Sequence, residues 1–289
     1  MKKIILITGA TNGIGKAAAL ALAKLGHQII IHGRNEALAK DVQQEIISES
    51  KNPNVDYLIA DLFLMREVRK LAEDFKKKYD RLDVLMNNAG GVMGKQREET
   101  AEGIEKTIAL DLLAPYLLTS LLLSELQNSP EARIVNTASG AHSFFAKPDF
   151  NDIELRKKYT ANLAYGNAKL YFMMASQVMS DRLKKSYNGK ITINMMHPGA
   201  VASNILAPLR KRRVLGAILI PIMKLLMKTP EQGADTLVYL ADSDEVKGMS
   251  GLYFIKRKPA KVNEKYISGE TKKIVWDFCV SKTGKKFIG

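Results

Sequence analysis

Tyr165 and Lys169 stand four residues apart in the run Tyr165-Gly166-Asn167-Ala168-Lys169. Composition and periodicity predict a helix over Ala164 to Leu183, and residues four apart on a helix are neighbours, so both side chains can face one pocket. A free phenol is a poor acid–base catalyst at neutral pH. An ammonium about 4 Å away, at an effective dielectric of about 20, is worth roughly 4 kcal/mol to the phenolate, which equips the pair to pass a proton. Such pairs are common by chance, and this one gains meaning from Ser139. That residue follows the apolar run Ile134-Val135-Asn136-Thr137, at the carboxyl edge of a strand, where open α/β sheets bind ligands. Ser139 would hold a substrate oxygen and Tyr165 would exchange its proton. Tyr159 is a rival by position, but residue 163 is leucine, so no lysine assists it.

A second cluster is suited to phosphate. Thr8-Gly9-Ala10-Thr11-Asn12-Gly13-Ile14-Gly15 separates an apolar run from the helical Lys16-Ala17-Ala18-Ala19-Leu20. Glycines let the backbone turn tightly and approach a pyrophosphate, and the helix N-terminus stabilises its charge. The spacing is GxxxGxG, which departs from the dinucleotide fingerprint GxGxxG. Gly9, Thr11, Asn12, Gly13, Ile14 and Gly15 are the candidate cofactor contacts here. About 20 residues past the glycines, dinucleotide-binding folds place an acid on the ribose 2′-hydroxyl of NAD; this chain has Arg34 followed by Asn35. A guanidinium pairs with a 2′-phosphate where an acid would repel it, so NADP is expected over NAD. Glu36, in the first turn of the next helix, is assigned to the helix dipole.

The elements that must position these groups alternate. Candidate strands are Ile4 to Thr8, Gln28 to His32, Val55 to Ala60, Val84 to Asn87, Arg133 to Thr137, Lys190 to Met196 and Leu252 to Ile255. Amphipathic stretches lie between most of them, among them Lys16 to Leu25, Ala37 to Glu49, Arg66 to Lys78 and Thr100 to Leu126. Such alternation predicts an α/β fold: a single-domain, Rossmann-type, doubly wound parallel sheet of about seven strands flanked by helices. No repeat or linker divides residues 1–289.

The net charge is +14, and residues 210 to 289 carry 17 Lys/Arg against 8 Asp/Glu. Without a nucleic-acid-binding motif beside it, this excess reads as a solvated basic face, and no nucleic-acid partner is expected. No 18-residue apolar run spans a membrane, no metal-ligand spacing occurs, and the lone Cys279 is expected to be a buried apolar residue. A cytoplasmic location follows as the expectation.

With these motifs in hand, the chain resembles the short-chain dehydrogenase/reductase family, and in detail its retinol-dehydrogenase-like branch. The similarity runs from about Ile4 to Ile255 and rests on the Thr8 to Gly15 turn, Asp61-Leu62, Asn87-Asn88-Ala89-Gly90, Ser139, Tyr165 with Lys169, and His197-Pro198-Gly199-Ala200-Val201. The resemblance implies an NADP(H)-dependent oxidoreductase that moves a hydride between the nicotinamide and an apolar alcohol, aldehyde or ketone. It further implies that Asp61 and Leu62 flank the adenine, and that Asn88, Ala89 and Gly90 pack under the adenosine side. Lys169 would also bond the nicotinamide ribose, and Pro198, Gly199, Val201 and Ser203 would border the nicotinamide. Family members are often homo-oligomers.

Several positions depart from the family. Where many members carry an asparagine, the helix after Asn87 to Gly90 carries Asp111, a candidate for the catalytic set whose charge beside Lys169 would favour the ammonium and alter the proton path. That change also admits an alternative, a catalytically weak NADP-binding regulatory or scaffold protein. The long gap from Ser139 to Tyr165 holds Phe144, Phe145 and Phe150, which either line an apolar substrate entrance or form a satellite core. His142 has no recognisable partner and is expected to be structural or solvent-facing. Residues of about 203–230 are expected to form a substrate lobe or lid; Arg210 to Arg213 and the apolar stretch after them leave peripheral membrane contact open.

Overall fold

The computed structural model describes residues 2–199 and 228–288. Strands β1 (Ile4–Ile7), β2 (Gln28–Gly33), β3 (Val55–Ile59), β4 (Val84–Asn87), β5 (Ala132–Thr137), β6 (Ile191–His197), β7 (Tyr253–Ile255) and β8 (Lys258–Ala260) form one sheet in the order β3-β2-β1-β4-β5-β6-β7-β8. All neighbours are parallel except β7 and β8. The strand count is therefore eight, one more than the sequence suggested. Lys256 and Arg257 make the β7–β8 hairpin turn with φ of 50° and 62°, a turn usually signalled by Asn-Gly, and Pro259 sits in the edge strand, where a missing N–H is tolerated. Neither residue choice looks like a hairpin in the sequence.

The apolar strands serve both faces. Leu6, Ile30, Leu85, Ile134 and Ile193 point into one core, while Ile5, Ile7, Ile29, Ile31, Val84, Met86 and Val135 point into the other. Helices α1 (Gly13–Lys24), α2 (Glu36–Ser50) and α9 (Pro230–Asp242) cover the second face. The first is covered by α3 (Met65–Lys78), α5 (Ala114–Leu121), α6 (Leu123–Gln127), α8 (Ala161–Tyr187) and α10 (Gly269–Thr283), with the short α4 (Lys106–Ile108). Helix α3 shows why such segments fold as they do: Met65, Val68, Leu71, Ala72 and Phe75 form its buried stripe, and Lys76, Lys77 and Lys78 meet the negative end of its dipole.

The expected helix over Thr100 to Leu126 is not continuous. Helical structure begins at Lys106, where the Glu105 carboxylate accepts from Thr107 N and Ile108 N. It then widens into a π-helical turn over Ala109–Leu113 and breaks again at Leu122. Residues past Ile255, unreadable in the sequence, fold back as α10. Trp276 there packs edge-on against Tyr116 and Phe287 and under Arg182, and Cys279 is fully buried. Among the described residues no helix is long and apolar enough to cross a membrane. The lid segment up to residue 227, together with Val201 and Ser203, lies outside the described residues.

Candidate active site

The glycine turn, Asp61-Leu62, Asn88 to Gly90, Ser139 and Pro198-Gly199 each follow a parallel strand at its carboxyl end, and Lys169 of α8 reaches the same edge at Thr137 O. Beyond β1, Gly9 and Gly13 adopt φ of 63° and 54°, values that side chains avoid. The turn is also too crowded for them: a Cβ on Gly9 would stand 2.9 Å from Ala89 Cα, and one on Gly15 would stand 2.5 Å from both Gly9 O and Asn88 Nδ2. Asn12 precedes α1 without making a side-chain cap, and no acid occupies the first turn. The helix N-terminus is thus left for an anion.

The turn is tied to its neighbours by neutral groups. Thr8 Oγ1 accepts from Asn88 N and Ala89 N, both at 3.0 Å, and Asn88 Nδ2 donates to Thr8 O at 2.9 Å and Gly9 O at 3.2 Å. From β2, His32 accepts the Gly9 N–H at Nδ1, 3.3 Å, and donates from Nε2 to Ala60 O, 3.1 Å. Burial pushes its pKa down to about 4, so the ring is neutral and can fill both roles at once. Sequence reasoning missed His32; the only signal was a polar residue closing the apolar run Ile29-Ile30-Ile31. At the end of β2, Arg34 is exposed, its guanidinium 5.5 Å from the ring centroid of Phe63. Asn35 caps α2, accepting from Leu38 N at 2.9 Å, with Glu36 in the helix's first turn. Asp61 accepts from Phe63 N at 3.2 Å, and Leu62 is buried.

The second half of the edge is organised around a charge. Tyr165 and Lys169 lie one turn apart on α8, whose N-terminus is capped by Thr160. Lys169 is 3% exposed; its Nζ lies 2.8 Å from Asp111 Oδ1, 3.0 Å from Thr137 O and 5.7 Å from the Tyr165 ring centroid. Burial works against its charge, but Asp111 and then Tyr165 outweigh burial and hold the ammonium above the ordinary lysine range. Burial pushes the Asp111 carboxyl up, while Lys169 and the Gly91 N–H pull it down. Asp111 reaches this position from the π-helical turn, a form that recurs at functional sites. Gly90 leaves it room, since a Cβ there would run into Asp111 Oδ1. The Thr137 hydroxyl, two residues before Ser139, is buried without a partner.

Ser139 is half-buried and its Oγ accepts from Ala141 N at 3.2 Å. The loop it starts is held by two histidines. His197, at the end of β6, accepts from Gly140 N at 3.2 Å, and His142 bonds Ser139 O through Nδ1 and Ser143 through Nε2. His142 is therefore the structural residue the sequence allowed, with partners not recognisable there, because a four-residue helix, α7 (Ala141–Phe144), folds its ring back onto its own loop. Phe150 packs against Tyr171 in the core, whereas Phe144 and Phe145 are 80% and 46% exposed. Phe145 presses on Gly166, next to Tyr165. Tyr159 donates to Gly94 O at 3.3 Å. Pro198 O accepts from Lys228 Nζ at 3.1 Å, and Gly199 has φ of 86° beneath the same lysine.

Known proteins similar to this chain place it in a family. The short chain dehydrogenase family model matches residues 3–214. The chain belongs to that family. Human polyprenol dehydrogenase is 32% identical over 291 residues, covering 98% of this chain and 85% of that one. Mouse retinol dehydrogenase 13 is 34% identical over 255 residues, covering 87% and 75%. Among solved structures, a short chain dehydrogenase from Shigella flexneri 2a complexed with NADP superposes with a TM-score of 0.65 at 25% identity, covering 87% of this chain and 95% of that one. The chain is thus a nicotinamide-dependent oxidoreductase of alcohol and carbonyl groups, on the retinol-dehydrogenase-like branch.

Proposed function

We propose that this short-chain dehydrogenase uses NADP(H) to interconvert apolar alcohols with aldehydes or ketones, with Tyr165 as the acid–base group. The observation that carries this reading is the buried Lys169 ammonium, one helical turn from Tyr165 and bonded to Thr137 O two residues before Ser139. Ser139 holds the substrate oxygen, Tyr165 exchanges a proton with it, and Lys169 orients Tyr165 and the nicotinamide ribose.

The cofactor's fit is supported by the uncapped N-terminus of α1, which has no acid in its first turn. Gly9 and Gly15 pack against Ala89 and Asn88 too closely for side chains and Gly13 turns the backbone at positive φ, so the turn before that N-terminus stays tight, and Thr11, Asn12 and Ile14 would border the pyrophosphate. Arg34, stacked on Phe63, and Asn35 would take the 2′-phosphate, with no acid at that strand end to compete. Asp61 and Leu62 would flank the adenine, Asn88, Ala89 and Gly90 would lie under the adenosine, and Pro198 and Gly199 would border the nicotinamide. The bound cofactor supplies or takes up the hydride. An apolar substrate is supported by the exposed Phe144 and Phe145 beside the site, and by relatives named for polyprenol and retinol.

The test is NADPH oxidation with a panel of medium-chain aldehydes and ketones, run on the parent and on Tyr165→Phe. Turnover should fall by about 10³-fold in the variant with NADPH affinity kept, since general acid–base catalysis contributes about 10²–10⁴-fold. Tight NADPH binding without turnover on any substrate overturns the proposal, and a fast variant removes Tyr165 from the chemistry.

A further inference from the structure

Two carboxylates outside the catalytic set are buried on segments that lead into it. Glu105 is 1% exposed and precedes α4; its Oε1 accepts from Thr107 N at 2.9 Å and Thr107 Oγ1 at 2.8 Å, and its Oε2 from Ile108 N at 2.8 Å. The Glu105 carbonyl accepts from Ala109 N at 2.8 Å, so this residue is the root of the π-helical turn that delivers Asp111. Glu154 is 7% exposed and lies in the loop between Ser139 and α8. Its Oε1 accepts from Glu105 N at 3.2 Å, its Oε2 from Lys282 Nζ of α10 at 2.6 Å, and its carbonyl from Arg97 Nε at 2.9 Å. The Arg156 guanidinium adds a longer contact at 3.5 Å. One side chain thus joins the segment leading to Asp111, the loop that starts at Ser139, and α10.

The backbone beside Glu154 is strained. Leu155 is buried with φ of 52°, a left-handed conformation that leucine adopts only where its surroundings impose it, and such strain gathers at functional clamps. The same loop is fastened to α8 next to Tyr165. Lys147 N donates to Asn167 Oδ1 at 2.9 Å, and a Cβ on Gly166 would stand 2.8 Å from Ala146 N. An ion pair this buried adds little net stability over apolar side chains of the same volume. What it supplies is a directed contact between elements.

Resting on the proposed reaction, we infer that Glu154 is a positioning residue that locks the Ser139 loop to the root of the Asp111 turn, with Lys282 latching both to α10. The relative placement of Ser139, Tyr165 and Lys169 is then set partly by a helix that contributes none of the site residues named above. Glu105 governs where Asp111 meets Lys169, and the loop governs how Ser139 faces Tyr165. A displacement of about 1 Å imposed from outside the chemistry can cost about 10²-fold in rate. Cofactor affinity is independent of the latch, because Thr8, Asn88 and His32 fasten the glycine turn.

The experiment compares Glu154→Gln and Glu154→Leu with the parent. Arg182→Met is the control: it removes the cation stacked on Trp276 and so loosens α10 at the far end of α8. The glutamine keeps an acceptor for Glu105 N and frees Lys282, whose side chain is 29% exposed and can turn to water, so no buried charge is stranded. Its kcat in NADPH-dependent reduction should fall by about three- to tenfold, with the Kd for NADPH unchanged and the thermal midpoint within about 3 °C of the parent. The leucine removes both contacts, and its kcat should fall by about 10²-fold. Arg182→Met should lower the midpoint by as much as Glu154→Gln does yet keep the parent kcat, and Lys282→Arg, which keeps the charge, should match the parent in both. A readout that needs no turnover is amide hydrogen exchange, which should quicken about tenfold from Lys106 to Leu113 in Glu154→Gln while β1 to β3 keep the parent protection. Parent kcat in the glutamine variant, or parent exchange over that segment, overturns the inference whether or not the leucine variant folds. An equal fall of kcat in Arg182→Met also overturns it, because any loosening of α10 would then suffice. A parent that turns over no substrate is a failure of the proposed reaction instead, and the exchange result then decides the latch alone.

Discussion

Where the adenosine of the cofactor is proposed to lie, the fastenings are neutral: Thr8 Oγ1, the Asn88 amide, an uncharged His32 and the absent side chains of Gly9 and Gly15. At the end where the chemistry is proposed, Tyr165 stands one helical turn from a buried ion pair, Lys169 with Asp111, supported by a backbone carbonyl. The difference follows from what each end must bind. Pyrophosphate brings its own charge and needs backbone N–H groups at a helix N-terminus, so fixed neutral geometry suffices. Proton transfer requires a group that changes charge, and a buried charge is stable only when paired. The two ends should therefore respond differently to pH and to substitution.

Acid should loosen the neutral end. His32 has its pKa lowered to about 4 from the ordinary 6.5, so the folded state binds its proton less readily than the unfolded state. Its contribution is complete above about pH 6.5 and is lost as pH falls toward 4, at a total cost of about 3 kcal/mol. Protonation also removes the acceptor of the Gly9 N–H, so NADPH affinity should weaken in the same window. Urea midpoints at pH 7 and pH 4.5 for the parent and for His32→Gln measure this, the glutamine amide still being able to donate and accept. If the variant loses as much stability as the parent between those pH values, His32 is not the acid-sensitive fastening.

The two ends also differed in how far they could be read. Strands β1 to β7 and the helices α1, α2, α3 and α8 follow from apolar periodicity, and Tyr165, Lys169 and the glycine turn follow from local spacing. What stayed hidden depends on distance in space. Whether His32 is a strand residue or a clasp depends on Gly9 and Ala60 reaching it from 23 and 28 positions away. The π-helical turn is invisible because Ala109-Leu110-Asp111-Leu112-Leu113 has an ordinary helical composition. Trp276 becomes intelligible only once Tyr116 and Arg182 are seen around it. Phe150 and Phe144, six residues apart, differ in burial for reasons of loop path alone.

Cofactor choice sharpens the comparison with an intermediate effect. Arg34 is a cation at the end whose fastenings are neutral, exposed and steadied by Phe63. Arg34→Asp should shift the ratio of kcat/KM for NADPH over NADH by about 10- to 100-fold toward NADH, the loss of one charge-assisted phosphate contact of about 1.5–3 kcal/mol. Stability should not change, because the side chain lies on the surface. An unchanged cofactor ratio would show that the 2′-phosphate is held elsewhere.

The smallest effect is expected at the mouth of the chemical end, where no charge is involved. Phe144 is 80% exposed, yet one ring atom would lie 3.6 Å from a Cβ on Gly140, next to Ser139. An exposed ring there adds little to folding, and the proposed apolar substrate would find it at the edge of the Ser139 loop. Phe144→Ser should raise KM for long-chain aldehydes by about three- to tenfold, roughly 1 kcal/mol of lost apolar contact, while short aldehydes and kcat are unaffected. Thermal midpoints of parent and variant should coincide, in contrast to Phe150→Ser, which opens the core beneath Tyr171. If chain length makes no difference to the KM ratio, Phe144 does not touch substrate and the apolar entrance lies along another wall of the cleft.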